Sequence, residues 1–126
     1  MGIWTRRTWM TLAALGGIVA VAVGAFAAHG MKDPEAREWL RTGATYGFMH
    51  TMATFSCATF MNIGARRARF APAFFLSGVV LFSGSLYAMA FGAPRWLGMV
   101  TPVGGLLFLT GWALLAWAAR GVDPQA

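Results

Sequence analysis

The chain reads as an all-α membrane protein, a four-transmembrane-helix antiparallel bundle with both termini cytoplasmic. Three observations predict it. Of 126 residues, 58% are hydrophobic and only 11% charged, more apolar surface than a water-soluble core of this size absorbs. Four apolar stretches, at about 9–28, 46–63, 71–91 and 99–119, each come close to the roughly 20 helical residues that cross a hydrocarbon core of about 30 Å. The charged residues fall in the breaks between these stretches and not within them. The chain 1–126 is accordingly expected to be a single four-helix transmembrane domain.

The first stretch follows Arg6 and Arg7 and ends near Ala25, Phe26 and Ala27, a pattern shared with secretory signals that carry a small-residue cleavage site. It is longer than a usual signal core and three more spans follow it, so it is expected to be retained. Between the first and second spans, His29 to Arg41 carries all but one of the acidic residues. Here Lys32 to Thr42 reads as a short interfacial helix or a polar connector. Asp33 is placed to cap it, Pro34 suits the first helical position, and Glu35 and Glu38 lie near the positive end of its dipole. Trp39 and Leu40 would face the boundary between headgroups and acyl chains. Arg66 to Arg69 forms a basic turn before Pro72, and Gly92 to Gly98, with Pro94 and Arg95, breaks the last two spans. Alternation of period two is absent, and a segment in lipid must satisfy its own amides, so helices are expected and a barrel is not. Such short connections make consecutive helices antiparallel neighbours.

Orientation follows the basic residues. One side would hold six, Arg6, Arg7, Arg66, Arg67, Arg69 and Arg120, and the other four, Lys32, Arg37, Arg41 and Arg95, diluted by Asp33, Glu35 and Glu38. The richer side, with both termini, is predicted to be cytoplasmic. The net charge of +6 is spread between apolar runs and does not line one face, which argues for a membrane surface and against nucleic acid. The single cysteine, Cys57, excludes an intramolecular disulfide and reads as a small packing residue.

Helix association in lipid depends on close packing and interhelical hydrogen bonds. Small residues recur at helical spacing: Gly16, Ala20, Gly24 and Ala28 in the first span, and Gly43, Gly47 and Thr51 in the second. The third offers Gly78, Gly84 and Ser85, and the fourth Thr101, Pro102, Gly104, Gly105 and Gly111. Trp4, Trp9, Trp96 and Trp117 mark the predicted interfaces.

No Asp, Glu, Lys or Arg lies inside a span, which disfavours a carboxylate-coupled transporter. There is also no phosphate-binding glycine loop, nucleophile turn or histidine pair at metal spacing. No cofactor is implied. The notable intramembrane group is His50, one turn after Tyr46 and one before Thr54. It reads either as a titrating or ligand-binding imidazole or as a neutral histidine bonded to Ser83, Ser85, Tyr87 or a neighbouring backbone carbonyl. His29 with His50, Met31, Met49 and Met52 makes a thinkable cuprous site, although methionine is also a routine filler of apolar cores.

Four segments in order carry a resemblance: Gly24 to Gly30, Thr42 to Tyr46 with His50, Leu81 to Tyr87, and Thr101 to Gly105. They resemble the signature segments of the domain of unknown function 423 family, small bacterial inner-membrane proteins of the YgdD type, with eukaryotic relatives called transmembrane protein 256. The resemblance implies a four-helix fold in the inner membrane and brings no biochemical activity with it. Family members often carry glutamine directly after the tyrosine, where this chain has Gly47. The resemblance raises interest in His29, Tyr46, His50, Ser83, Ser85 and Tyr87 as a cluster. With antiparallel neighbours, Tyr87 and Ser83 are expected to face Tyr46 and His50 in the outward half of the bundle, with His29 at its rim.

Three functions follow from this reading. The first is a non-enzymatic accessory, lipid-interacting or membrane-organising bundle, whose partners are membrane lipids and a second copy or a larger membrane-protein complex. The second is a small channel or transporter, in oligomeric form, built on the His50 cluster. The third is metal or redox binding through His29, His50 and methionines.

Overall fold

The computed structural model describes residues 2–125. It contains four helices, α1 (Arg6–His29), α2 (Pro34–Asn62), α3 (Ala71–Ala90) and α4 (Thr101–Ala119). Five-residue 3-10 turns, Arg66–Phe70 and Arg95–Met99, precede α3 and α4. Three segments, Arg6–His29, Arg66–Ala90 and Arg95–Ala119, are long and apolar enough to cross a membrane. α2 is long enough, but His50, Asn62 and a series of threonines lower its mean hydropathy.

The position of α2 accommodates its polar groups. α2 packs along both α1 and α3, and α3 packs along both α2 and α4, while no Cα of α1 comes within 8 Å of α4 among the described residues. A helix flanked on two sides meets protein where an outer helix meets lipid, so its polar groups can find partners. Thr51, Thr54, Cys57 and His50 are accordingly all buried.

Residues 34–42 are neither a separate interfacial helix nor a connector, the two readings of the sequence, but the first turns of α2. Asp33 does cap a helix, accepting from the Ala36 amide at 2.9 Å with Pro34 in the first turn. The helix it starts is the 29-residue α2 itself, about 43 Å long at 1.5 Å per residue. Nothing between Pro34 and Tyr46 breaks the hydrogen-bond ladder, and Gly43 is tolerated because α3 lies against it. Leu40 consequently faces the bundle, fully buried, and not the headgroup boundary.

The next two connections repeat one design. Gly64 and Gly92 each adopt φ 105°, a conformation that favours glycine, to leave α2 and α3. A 3-10 turn follows, and then a helix with Pro72 or Pro102 in its first turn, where no amide donor is needed. Ala65 and Ala68 of the first turn are buried beside Trp9, Cys57, Phe75, Leu115 and Ala118. This end of the bundle is tied together further by Arg6 Nη1–H donating to Asn62 Oδ1 at 3.0 Å and by the Asp123 amide donating to the Ile63 carbonyl at 2.9 Å.

In α1 the buried positions are Trp9, Ala13, Ala20 and Ala27. The four-residue repeat read from the sequence drifts off the contact, and Ala28 is exposed where Ala27 is buried. The buried positions are spaced by four, seven and seven residues, a seven-residue period that holds the face towards α2, as in a left-handed helix pair.

Candidate functional site

His50 lies on the α2 face that looks towards α3 and α4. Its Nδ1–H donates to the Tyr46 carbonyl one turn back at 2.7 Å. Its Nε2 accepts from the indole Nε1–H of Trp112 on α4 at 3.0 Å. A carbonyl can only accept and an indole nitrogen can only donate, so the two partners fix a single neutral tautomer. The ring lies flat on Phe108, with centroids 3.5 Å apart and planes 5° apart, and Phe75 approaches it at 5.8 Å. The imidazole is 3% exposed. With both nitrogens engaged it offers no lone pair to a ligand, and the metal-binding alternative loses its central group. Among the described residues no three His, Cys, Asp or Glu side chains gather to hold a metal.

The remaining sequence-derived residues occupy separate places. Ser83 Oγ–H donates to the Gly43 carbonyl at 2.6 Å, directly joining α3 to α2. Tyr87 packs over Gly43, where an added Cβ would stand 2.6 Å from its ring, and Ser83 lies over Gly47. The α2–α3 register therefore differs by about one turn from the expected facing of Ser83 and Tyr87 with His50 and Tyr46. Glycines at 43 and 47 admit the α3 side chains, and the Ser83 bond fixes the alignment. Ser85 Oγ–H donates to the Phe82 carbonyl at 2.9 Å and meets the Thr101 hydroxyl at 2.5 Å, joining α3 to the start of α4. Tyr46 is 42% exposed, its ring roughly parallel to that of His50. His29 is exposed in the last turn of α1 and shares no hydrogen bond with the other five.

What holds His50 is thus a group that sequence reasoning missed: Trp112 and Phe108 of α4 with Phe75 of α3. One signal pointed there. Trp112 lies in mid-helix, away from the interfacial belts, and an indole N–H in lipid needs an acceptor. Beside this contact an apolar groove of about 410 Å³ opens between α2 and α4, lined by Tyr46, Met49, Gly105, Leu109 and Trp112 among others. A second, of about 600 Å³, continues it past Met52, Ser56 and Ala116.

Residues 23–105 match the family described as "Protein of unknown function (DUF423)". The chain belongs to the DUF423 family. This DUF423 protein is 42% identical over 117 residues to a "UPF0382 membrane protein" of Haemophilus influenzae, covering 90% of this chain and 94% of the relative. It is also 42% identical over 118 residues to the "UPF0382 inner membrane protein YgdD" of Escherichia coli strain K12, covering 88% of each. A "UPF0382 membrane protein" of Staphylococcus epidermidis is 33% identical over 115 residues, covering 89% of this chain and 94% of the relative. No solved structure matches. As a DUF423 protein the chain is a small multi-pass membrane protein.

Proposed function

We propose that this DUF423 protein is a single-domain, four-span bundle of the bacterial inner membrane, with both termini cytoplasmic, that works without catalysis as a lipid-interacting or membrane-organising accessory protein. The observation that carries this reading is the commitment of His50. The one buried imidazole is spent on holding α2 to α4, with both ring nitrogens engaged and its face against Phe108. The open space is lateral: apolar grooves between α2 and α4 face the bilayer. Such a molecule acts through what lies against it. α2, despite its lower mean hydropathy, counts as a span because it is sandwiched between α1 and α3 and is longer than a bilayer core.

The test is purification in nanodiscs followed by mass spectrometry of what stays bound. Retained lipid or a recurrent membrane-protein partner is expected. Solute or proton flux through the purified protein in liposomes would overturn the reading in favour of a channel. For the topology, a reporter fused after Gln125 should be active in the cytoplasm, and activity outside only would reverse the orientation.

A further inference from the structure

The two ends of the bundle treat their cations differently. At the end where α2 begins, Arg95 pairs with Glu35 and lies over Trp39, and the Arg37 guanidinium donates twice to the Met31 carbonyl. At the other end, Arg6, Arg7, Arg66, Arg67, Arg69 and Arg120 face a single acidic side chain among the described residues, Asp123. There the chain leading into α1, the last turn of α2 and the turn and first residues of α3 border an open pocket of about 520 Å³. Its walls are Trp4, Trp9, Met61, Phe70, Ala73 and Phe74; its charged groups are Arg6 and Arg69, and among the described residues no carboxylate lines it. Arg6 is held in place by Asn62 Oδ1 at 3.0 Å. Arg69 is held by its guanidinium over the Phe70 ring, 4.4 Å from the centroid. Both α1 and α3 begin beside the pocket, so the positive ends of their dipoles add to the arginines.

From this charge complementarity we infer that the pocket binds one anionic phospholipid of the phosphatidylglycerol type. Its phosphate lies between Arg6 and Arg69 and its first acyl carbons lie on Phe70, Ala73 and Phe74. A basic pocket between helices on the cytoplasmic side suits an anionic headgroup, because a bidentate guanidinium matches phosphate oxygens and the ring walls take the chain. A zwitterionic lipid would bring an ammonium to a site with no carboxylate to receive it. The inference rests on the lipid-interacting reading and deepens it by naming the headgroup and the place.

The experiment uses the full chain in nanodiscs made of equal phosphatidylglycerol and phosphatidylcholine, released into mild detergent and weighed by native mass spectrometry. Retention of phosphatidylglycerol in clear excess is expected. Arg69→Gln and Arg6→Gln should each lower that excess about fivefold, since a basic residue at the surface contributes about 1 kcal/mol towards an anionic lipid. Arg69→Lys should keep most of it, and Arg95→Gln, at the opposite end, should keep all of it. Arg69 makes no tie between helices, so its variants test binding even if Arg6→Gln loosens the fold. Equal retention of both lipids, or an excess that survives both glutamine variants, would overturn the inference and leave the lipid-interacting reading standing. Retention of no lipid at all would remove the inference and the lipid-interacting part of the reading, leaving only a protein-partner role to be sought in the same spectra. Displacement of phosphatidylglycerol by a co-purifying acidic segment of another protein would assign the pocket to a protein partner and overturn the lipid assignment.

Discussion

The seams that α3 makes with its neighbours and the gap between α2 and α4 solve the same problem in opposite ways. Along the seams, backbones come close. A Cβ added at Gly104 would stand 2.4 Å from the Phe82 amide nitrogen, and Ser83 reaches the Gly43 carbonyl directly. Between α2 and α4 the backbones stay apart, and a stack of Tyr46, His50 and Phe108 with the indole of Trp112 bridges the distance. The lesson is about lipid as solvent. Since burial against a neighbour gains little over burial in acyl chains, a seam is held by close approach and a gap by rings and hydrogen bonds that hydrocarbon cannot replace.

The comparison breaks most completely at the seam. Gly104→Ala places a methyl inside backbone, which cannot turn aside, so α3 and α4 must separate; a loss of about 3 kcal/mol is expected in reversible unfolding in micelles. Its neighbour is the control: at Gly105 nothing lies within 4 Å of an added Cβ, and Gly105→Ala should be neutral. Next comes the gap. Phe108→Ala removes the surface on which His50 lies, 3.5 Å away. The cost is about 2 kcal/mol in the same assay, below the usual range for core phenylalanine in water because lipid lessens the transfer term and leaves mainly the cavity. Phe108 also lies over Gly78 of α3, so this loss includes a share of the α3–α4 seam and is an upper bound on what the ring stack alone contributes.

His50→Phe sharpens the contrast further. It keeps a flat ring against Phe108 and strands the Trp112 N–H, at a cost of about 1 kcal/mol. In the double variant with Trp112→Phe, no unpaired donor remains, and the losses should be less than additive. Additive losses would mean that the 3.0 Å bond contributes nothing.

How far these devices could be read from the sequence differs between them for a physical reason. Asp33 and Pro34 announce a helix start, though not that the helix runs on through the second span, Gly92 announces a turn, and Gly43, Gly47, Gly78 and Gly104 the seams, because each acts through its own backbone or lack of a side chain. The partner of His50 depends on how α4 is rotated. α4 is apolar on every side, so its composition does not say which side faces α2. Only Trp112, an indole in mid-span, hinted at it. The α2–α3 register lies a turn from the one periodicity suggests, because helical periodicity assigns residues to a face and leaves sliding along the axis undetermined until one bond, from Ser83 to Gly43, fixes it.

That bond gives the smallest of the expected effects and the finest test of the comparison. Ser83→Ala removes a hydroxyl and adds no atom, so the close approach at Gly43 and Gly47 is preserved. The Gly43 carbonyl already accepts within the α2 ladder, so its loss of the second donor is not the desertion of a buried group. An interhelical bond of this kind contributes about 0.6 kcal/mol on average in a membrane bundle. The expected result is therefore a shift of that size in unfolding free energy with the α2–α3 spacing unchanged, read as an unaltered distance between spin labels at Thr59 and Ser77. A loss several times larger, or a changed distance, would mean that the hydroxyl and not the glycines holds the seam, and that the two regions are more alike than their packing suggests.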